Sequence, residues 1–229
     1  MVVYKKNSDV LQESVALEGK LVLDIGCGDG ALARLMAGQG AHVIGIETSP
    51  VQLAKARATP RVADEAFCLG SAQALPMTDG MADVVVFSNS LHHVPVAFQP
   101  QALAEAARVL KPGGTLFIAE PLAEGPHFDM TRIVEDETVV RTKALEAIHA
   151  ADRWGLEAVS EQVHISANSF PDFEALRQRQ IAVDAERAAI VAARQDELRA
   201  AFERLGQRTD KGWLFDQPMR INLLRKRAS

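Results

Sequence analysis

Leu21-Val22-Leu23-Asp24-Ile25-Gly26-Cys27-Gly28-Asp29-Gly30 is the stretch from which the rest of the chain is read. Four apolar residues bracket one acid and a glycine-rich turn follows at once, which predicts a buried parallel strand over 21–25. Beyond the turn, Ala31-Leu32-Ala33-Arg34-Leu35-Met36 has helical character, with Gly38 placed to stop it. A strand, a tight turn and a helix N-terminus in this order let backbone approach a nucleotide closely. Gly26, Gly28 and Gly30 carry no Cβ, so the turn can take positive φ and a ligand can lie on the main chain.

Gly26-x-Gly28-x-x-Ala31 satisfies the looser dinucleotide fingerprint. Glu47 closes the second strand, Ala41-His42-Val43-Ile44-Gly45-Ile46, about 20 residues on, where a ribose-binding acid is expected. Two features point away from a nicotinamide cofactor. Asp24 stands inside the first strand, where a dinucleotide fold buries an apolar side chain; a carboxylate there suits an ammonium. Asp29 adds a second negative charge to the turn, which a pyrophosphate would meet with repulsion.

Val22–Gly30 resembles the first motif of class I S-adenosylmethionine-dependent methyltransferases. Three later stretches agree in order and spacing: Leu69-Gly70-Ser71-Ala72-Gln73-Ala74-Leu75-Pro76, Asp83 to Val94, and Arg108-Val109-Leu110-Lys111-Pro112-Gly113-Gly114. The match covers roughly residues 20 to 120 and leaves the acceptor open. It implies a doubly wound, Rossmann-like α/β sheet of seven strands, the last antiparallel at or near an edge; beyond Glu120 the pattern fades, and composition there predicts helical insertions after the fifth and sixth strands. It also implies S-adenosylmethionine as cofactor and S-adenosylhomocysteine as product. By the same resemblance Asp24 would hold the methionine ammonium, and the Gly26-Cys27-Gly28 to Gly30 backbone would run under methionine and ribose. Glu47, with Thr48 beside it, would take the ribose hydroxyls, Ser71 and Ala72 would face adenine, and Ser88 and Asn89 would touch the methionyl side through main chain. Ser71 departs from the family's usual Asp; a hydroxyl accepts the same bond without charge assistance.

Two other readings stay open: a binding protein that keeps the cofactor pocket without catalysis, and a nicotinamide oxidoreductase. Ser88-Asn89-Ser90-Leu91 lacks the paired prolines and aromatic of amino-group nucleic-acid methyltransferases, and neither Cys27 nor Cys68 follows a proline, as a pyrimidine-attacking thiol would. His92 and His93 follow the fourth strand, so one of them could lie near the methyl group as a general base. The competing expectation is that they anchor the loop before Pro95, since methyl transfer often needs only proximity.

The 229 residues suit a single methyltransferase domain, with a helical segment over 1–19, a cofactor core over 20–120 and helical caps over 121–154 and 171–206. The formal charge of −5 argues against general nucleic-acid or anionic-membrane binding. Met1 to Lys6 is no signal peptide, no apolar run approaches a membrane span, and two distant cysteines suit a reducing compartment, so a cytoplasmic monomer or homodimer acting on a small molecule is expected. No His/Cys/Asp cluster has metal-ligand spacing. Asp9 and Gln12 are spaced to cap a helix over 9–17, and Ser49-Pro50 to open one over 50–57. Glu65–Leu69, Ala82–Phe87, Thr115–Ala119, 156–165 and 213–224 read as the remaining strands, residues 98–110 and 131–154 as helices, and 172–205 as a long helical stretch breaking near Val183-Asp184.

Overall fold

The computed structural model describes residues 4–182 and 185–228; the expected break at Val183-Asp184 and the first three residues of the N-terminal segment lie outside them. The chain divides into two compact units, one of residues 7–120, 142–162 and 220–228, the other of residues 4–6, 121–141 and 163–219.

The first unit holds the strands that matter for the site: β1 (Leu21–Ile25), β2 (His42–Glu47), β3 (Glu65–Leu69), β4 (Ala82–Ser88) and β5 (Leu110–Pro121). They pair in parallel, with Asp24 of β1 opposite Gly45 of β2 and Val86 of β4. Both faces of this sheet are covered, as its β-branched and apolar strands require. The period of two sorts the side chains. Leu23, Ile25, Val85, Phe87, Leu116 and Ile118 join one core layer with Leu103 and Ala106 of α4 (Gln99–Val109). Val22, Val84, Val86, Phe117 and Ala119 join the opposite layer with Leu11 of α1 (Asn7–Ser14) and Met36 of α2 (Ala31–Ala37). Asp24 shares the parity of Val22 and is 2% exposed, an acid on an apolar face. α3 (Pro50–Ala58) starts as its sequence dictates, with the Ser49 hydroxyl accepting from Gln52 N and Pro50 at the first helical position.

The full strand order is β3-β2-β1-β4-β5-β8-β6, with β6 (Leu156–Phe170) at one end and β8 (Gly212–Lys226) inside it. The doubly wound sheet with antiparallel C-terminal strands is as expected, the last strand lying next to the edge strand β6; among the described residues there is one strand more. β7 (Gln207–Thr209) forms a hairpin with the start of β8 through Asp210-Lys211, pairing Gln207 with Leu214 and Thr209 with Gly212. Its three residues are exposed and polar, so no alternation announces it.

The first helix begins at Asn7, two residues earlier than read, which puts Asp9 in the first turn and not at the cap. The expected 131–154 helix is α6 (Thr138–His149) and a 3-10 turn over Ala151–Trp154 closed by Gly155 at φ 75°, and a separate short helix, α5 (Pro126–Thr131), ends where that helix was expected to begin. The long helical stretch is α7 (Phe173–Ile181), α8 (Ala185–Ala193) and α9 (Gln195–Leu205). In the second unit these helices bury an aromatic cluster in which Phe202 meets Phe173, Phe215 and Trp213 at 5.6, 5.0 and 5.1 Å between ring centroids. No helix of the described residues is long and apolar enough to cross a membrane.

Candidate functional site

At the carboxyl ends of β1, β2 and β4 lies a cavity of about 600 Å³, walled by Gly26, Gly28, Glu47, Thr48, Ala72 and Asn89 among others. It is built entirely from the first unit. Its floor is the glycine turn. Gly26 N and Cys27 N both donate to Ile46 O, at 2.8 and 3.2 Å, tying the turn to the end of β2. Gly28 holds φ +57°, and a Cβ placed on it would meet no protein atom within 4 Å. The main chain here is open to whatever occupies the cavity. Gly26 at φ +72° is different: its missing Cβ makes room for Ser90, whose Cβ would lie 2.6 Å away.

Glu47 closes β2 with both oxygens engaged. Its Oε2 accepts from Gly28 N at 2.9 Å and its Oε1 from Ser49 N at 2.8 Å, so the carboxylate joins the glycine turn to the cap of α3. Oε1 also accepts from Thr48 Oγ1 at 3.3 Å, while Oε2 has a second lone pair to offer a hydroxyl. Asp24 lies two residues before this floor and, unlike Glu47, is not itself among the residues that wall the cavity. Its Oδ2 is buried with no partner, and burial, with Glu47 adding repulsion, pushes its carboxyl up to about 7. A buried acid this poorly compensated suits a cation.

Not every expected residue faces the cavity. Gly30 caps α2 in the left-handed region, and Phe67 of β3 fills the space beside it: a Cβ on Gly30 would lie 2.5 Å from that ring, and one on Gly45 2.6 Å from the ring and 2.7 Å from Cys27 Sγ. Cys27 is buried, and desolvation raises its thiol well above the usual range, so it is inert filler there. Ser71 is drawn into a bridge with Ala74, and Ser88 ends β4 half-buried; neither reaches the wall. In their place Gln52, Gly70, Gln73, Ser90, Val94 and Pro95 line it. These are loop residues, and only the neighbouring motif hints at them.

The two histidines part company. His93 is exposed and lines the cavity, whereas His92 is buried with its Nδ1 against the Glu120 carboxylate. Their rings lie 4.0 Å apart between centroids. Asn89 takes a rare positive φ of 54° to start this turn, its N–H donating to Ala119 O at 2.8 Å.

Residues 23–118 match the family model described as a methyltransferase domain. Over 118 residues the chain is 36% identical to an uncharacterized methyltransferase of Mycobacteroides abscessus, covering 50% of this chain and 44% of that protein. Over 136 residues it is 34% identical to a ubiquinone biosynthesis O-methyltransferase of Hahella chejuensis, covering 58% and 56%. The chain spans about half the length of the curated relatives it matches. Among solved structures, the YcgJ protein of Bacillus subtilis superposes with a TM-score of 0.66 over 96% of this chain and 97% of that one, at 21% identity, a likeness of fold.

Proposed function

We propose that this chain, whose residues 23–118 match the methyltransferase-domain family and which has the class I methyltransferase fold, is as a whole an S-adenosylmethionine-dependent methyltransferase acting on a small molecule. The observation that carries the reading is the unpartnered, buried Asp24 oxygen beside a glycine floor open at Gly28. The residues present fit the cofactor: Asp24 for the ammonium, Gly26 and Gly28 main chain under methionine and ribose, Glu47 for the ribose hydroxyls, and Ala72, with Gln73 next to it, toward adenine. Thr48 and Asn89 complete the wall. Bound there, S-adenosylmethionine supplies a methyl group already activated on a sulfonium.

The protein's own part is then orientation and exclusion of water. Glu47, bonded to both Gly28 N and Ser49 N, holds the floor, and the Asn89–Val94 turn holds the wall. Where the acceptor presents a hydroxyl, the His93 imidazole is the group on that wall suited to take its proton. The formal charge of −5 and the absence among the described residues of a membrane-spanning helix support a small-molecule acceptor and a cytoplasmic setting.

Incubation with methyl-labelled S-adenosylmethionine and a fractionated cell extract tests the reading. Label is expected in the low-mass organic fraction. Cofactor binding without transfer to any fraction would make the protein a silent binder, and preferential binding of a dinucleotide would overturn the reading altogether.

A further inference from the structure

Glu120, near the end of β5, is an acid directly after the buried apolar run Leu116–Ala119 and is 7% exposed. Burying a carboxylate is expensive unless donors surround it. Here they do. Its Oε1 accepts from Ser90 N at 3.1 Å and Leu91 N at 2.9 Å. Its Oε2 faces His92 N at 3.4 Å and is in close contact with His92 Nδ1. Three successive backbone N–H groups curled around one carboxylate form the concave anion nest usually offered to ligands. In this protein the occupant comes from the chain itself.

The turn held this way is a wall of the cavity. Ser90 and His93 line it, and Ser90 Oγ donates to Ile25 O at 2.6 Å, fastening the same turn to the end of β1. Val94 N returns to Leu91 O at 3.0 Å. A carboxylate only accepts, so the ring nitrogen facing Glu120 must carry a proton. That fixes both the tautomer of His92 and the plane of its ring, against which the His93 ring rests. The logic is that of a carboxylate orienting an imidazole at a metal centre or in a triad, applied to a neighbour of the reacting space.

We infer that Glu120 is a positioning residue: through the 90–92 backbone and the His92 ring it sets the Ser90–His93 wall of the cofactor cavity. The consequence for the cofactor rests on the methyltransferase reading above, while the consequence for His92 does not.

The test uses the full chain, the near-isosteric Glu120→Gln variant and S-adenosylhomocysteine as probe. Imidazole nitrogen shifts in the ligand-free parent should show His92 protonated at Nδ1. In Glu120→Gln the amide oxygen can still serve Ser90 and Leu91, but its NH₂ now faces the ring, so His92 should switch to the Nε2-protonated form. The His93 shifts should move with it, and affinity for S-adenosylhomocysteine should fall about tenfold. A parent His92 protonated at Nε2 alone, or a folded Glu120→Gln protein with His93 shifts and affinity within twofold of the parent, would overturn the inference. Should Glu120→Gln not fold, the parent tautomer and the same shifts in His92→Gln decide instead. If the parent shows no heat with S-adenosylhomocysteine, it is the cofactor reading that fails, and the tautomer and His93 shifts alone judge Glu120.

Discussion

The Glu47 carboxylate accepts the Gly28 N–H at 2.9 Å, so the acid closing the second strand is anchored to the turn closing the first. Glu47→Ala removes that anchor, the Ser49 bond and the acceptors for a ribose. The expected cost to S-adenosylhomocysteine affinity is about 1.5–3 kcal/mol, the range for hydrogen bonds to a charged group. Calorimetry checks it; a loss below about threefold would mean that the carboxylate serves the fold and not the ligand.

Asp24 predicts a pH dependence with a definite sign. Its ligand-free carboxyl titrates at about 7, raised by burial, so below that pH it is neutral and must lose a proton to pair with an ammonium. Affinity for S-adenosylhomocysteine should therefore climb between pH 5.5 and 7.5 and level off above, with a proton released on binding at the acid end. Buffers of different ionisation enthalpy reveal that proton. Asp24→Asn should bind more weakly at pH 7.5 and show a flat profile. The same raised value makes the ligand-free fold hold this proton more tightly than the unfolded chain does. This group's contribution to stability therefore falls as pH rises from about 4 to 7, by on the order of 4 kcal/mol in all.

Gly26 and Gly28 should fail in different ways, although both hold positive φ. A side chain on Gly26 runs into Ser90, so Gly26→Ala should lower the melting temperature and disturb the 89–94 turn with or without ligand. One on Gly28 meets only open space, and its φ strain costs about 1–2 kcal/mol. Gly28→Val should fold and yet lose S-adenosylhomocysteine binding, because the branched side chain occupies the cavity. Unchanged affinity in a folded Gly28→Val protein would sink the cofactor placement.

The histidine pair separates by stability. His92→Gln breaks a buried contact with Glu120, so urea unfolding should show a loss of about 1–3 kcal/mol. His93→Gln, at an exposed position, should stay within about 0.5 kcal/mol of the parent. Once an acceptor is known, a drop of about 10²-fold in turnover for His93→Gln at unchanged cofactor affinity would mark a general base. Turnover within about threefold would leave proximity as the sole contribution.

Much of the first unit was legible because its signals are local. A β-branched run such as Val84-Val85-Val86 has one physical home, and Ser49-Pro50 can hardly do anything but open a helix. Asp24 stood out as an acid inside a buried strand, and Glu47 as an acid about 20 residues past the turn, where a ribose-binding carboxylate is expected. Glu120 carried the same signal as Asp24, an acid after Phe117-Ile118-Ala119, and its partner could be named only once the turn after β4 was seen folded over it. Ser71 sits in a short bridge with Ala74, a local turn that its motif position alone does not reveal. The break at Arg194 escaped notice because no proline or glycine marks it, and β7 because Gly206 and Gly212 bracket only three polar residues with no alternation.

The Phe67 ring packed against Gly30 and Gly45, with Cys27 beside it, limits how this corner of the chain can change over generations. Alanine at either glycine collides with an aromatic ring that strands and neighbours hold in place. Phe67 is itself half-buried, so a smaller residue there gives up its packing against this corner to solvent. A smaller side chain at 67 relieves only the ring: Gly30 still holds φ +81°, where any side chain is strained, and a Cβ on Gly45 still meets Cys27 Sγ at 2.7 Å. Gly30 is therefore expected to stay glycine, while positions 27, 45 and 67 are expected to drift together, so that a library varying those three jointly should recover folded proteins that no one-residue scan contains.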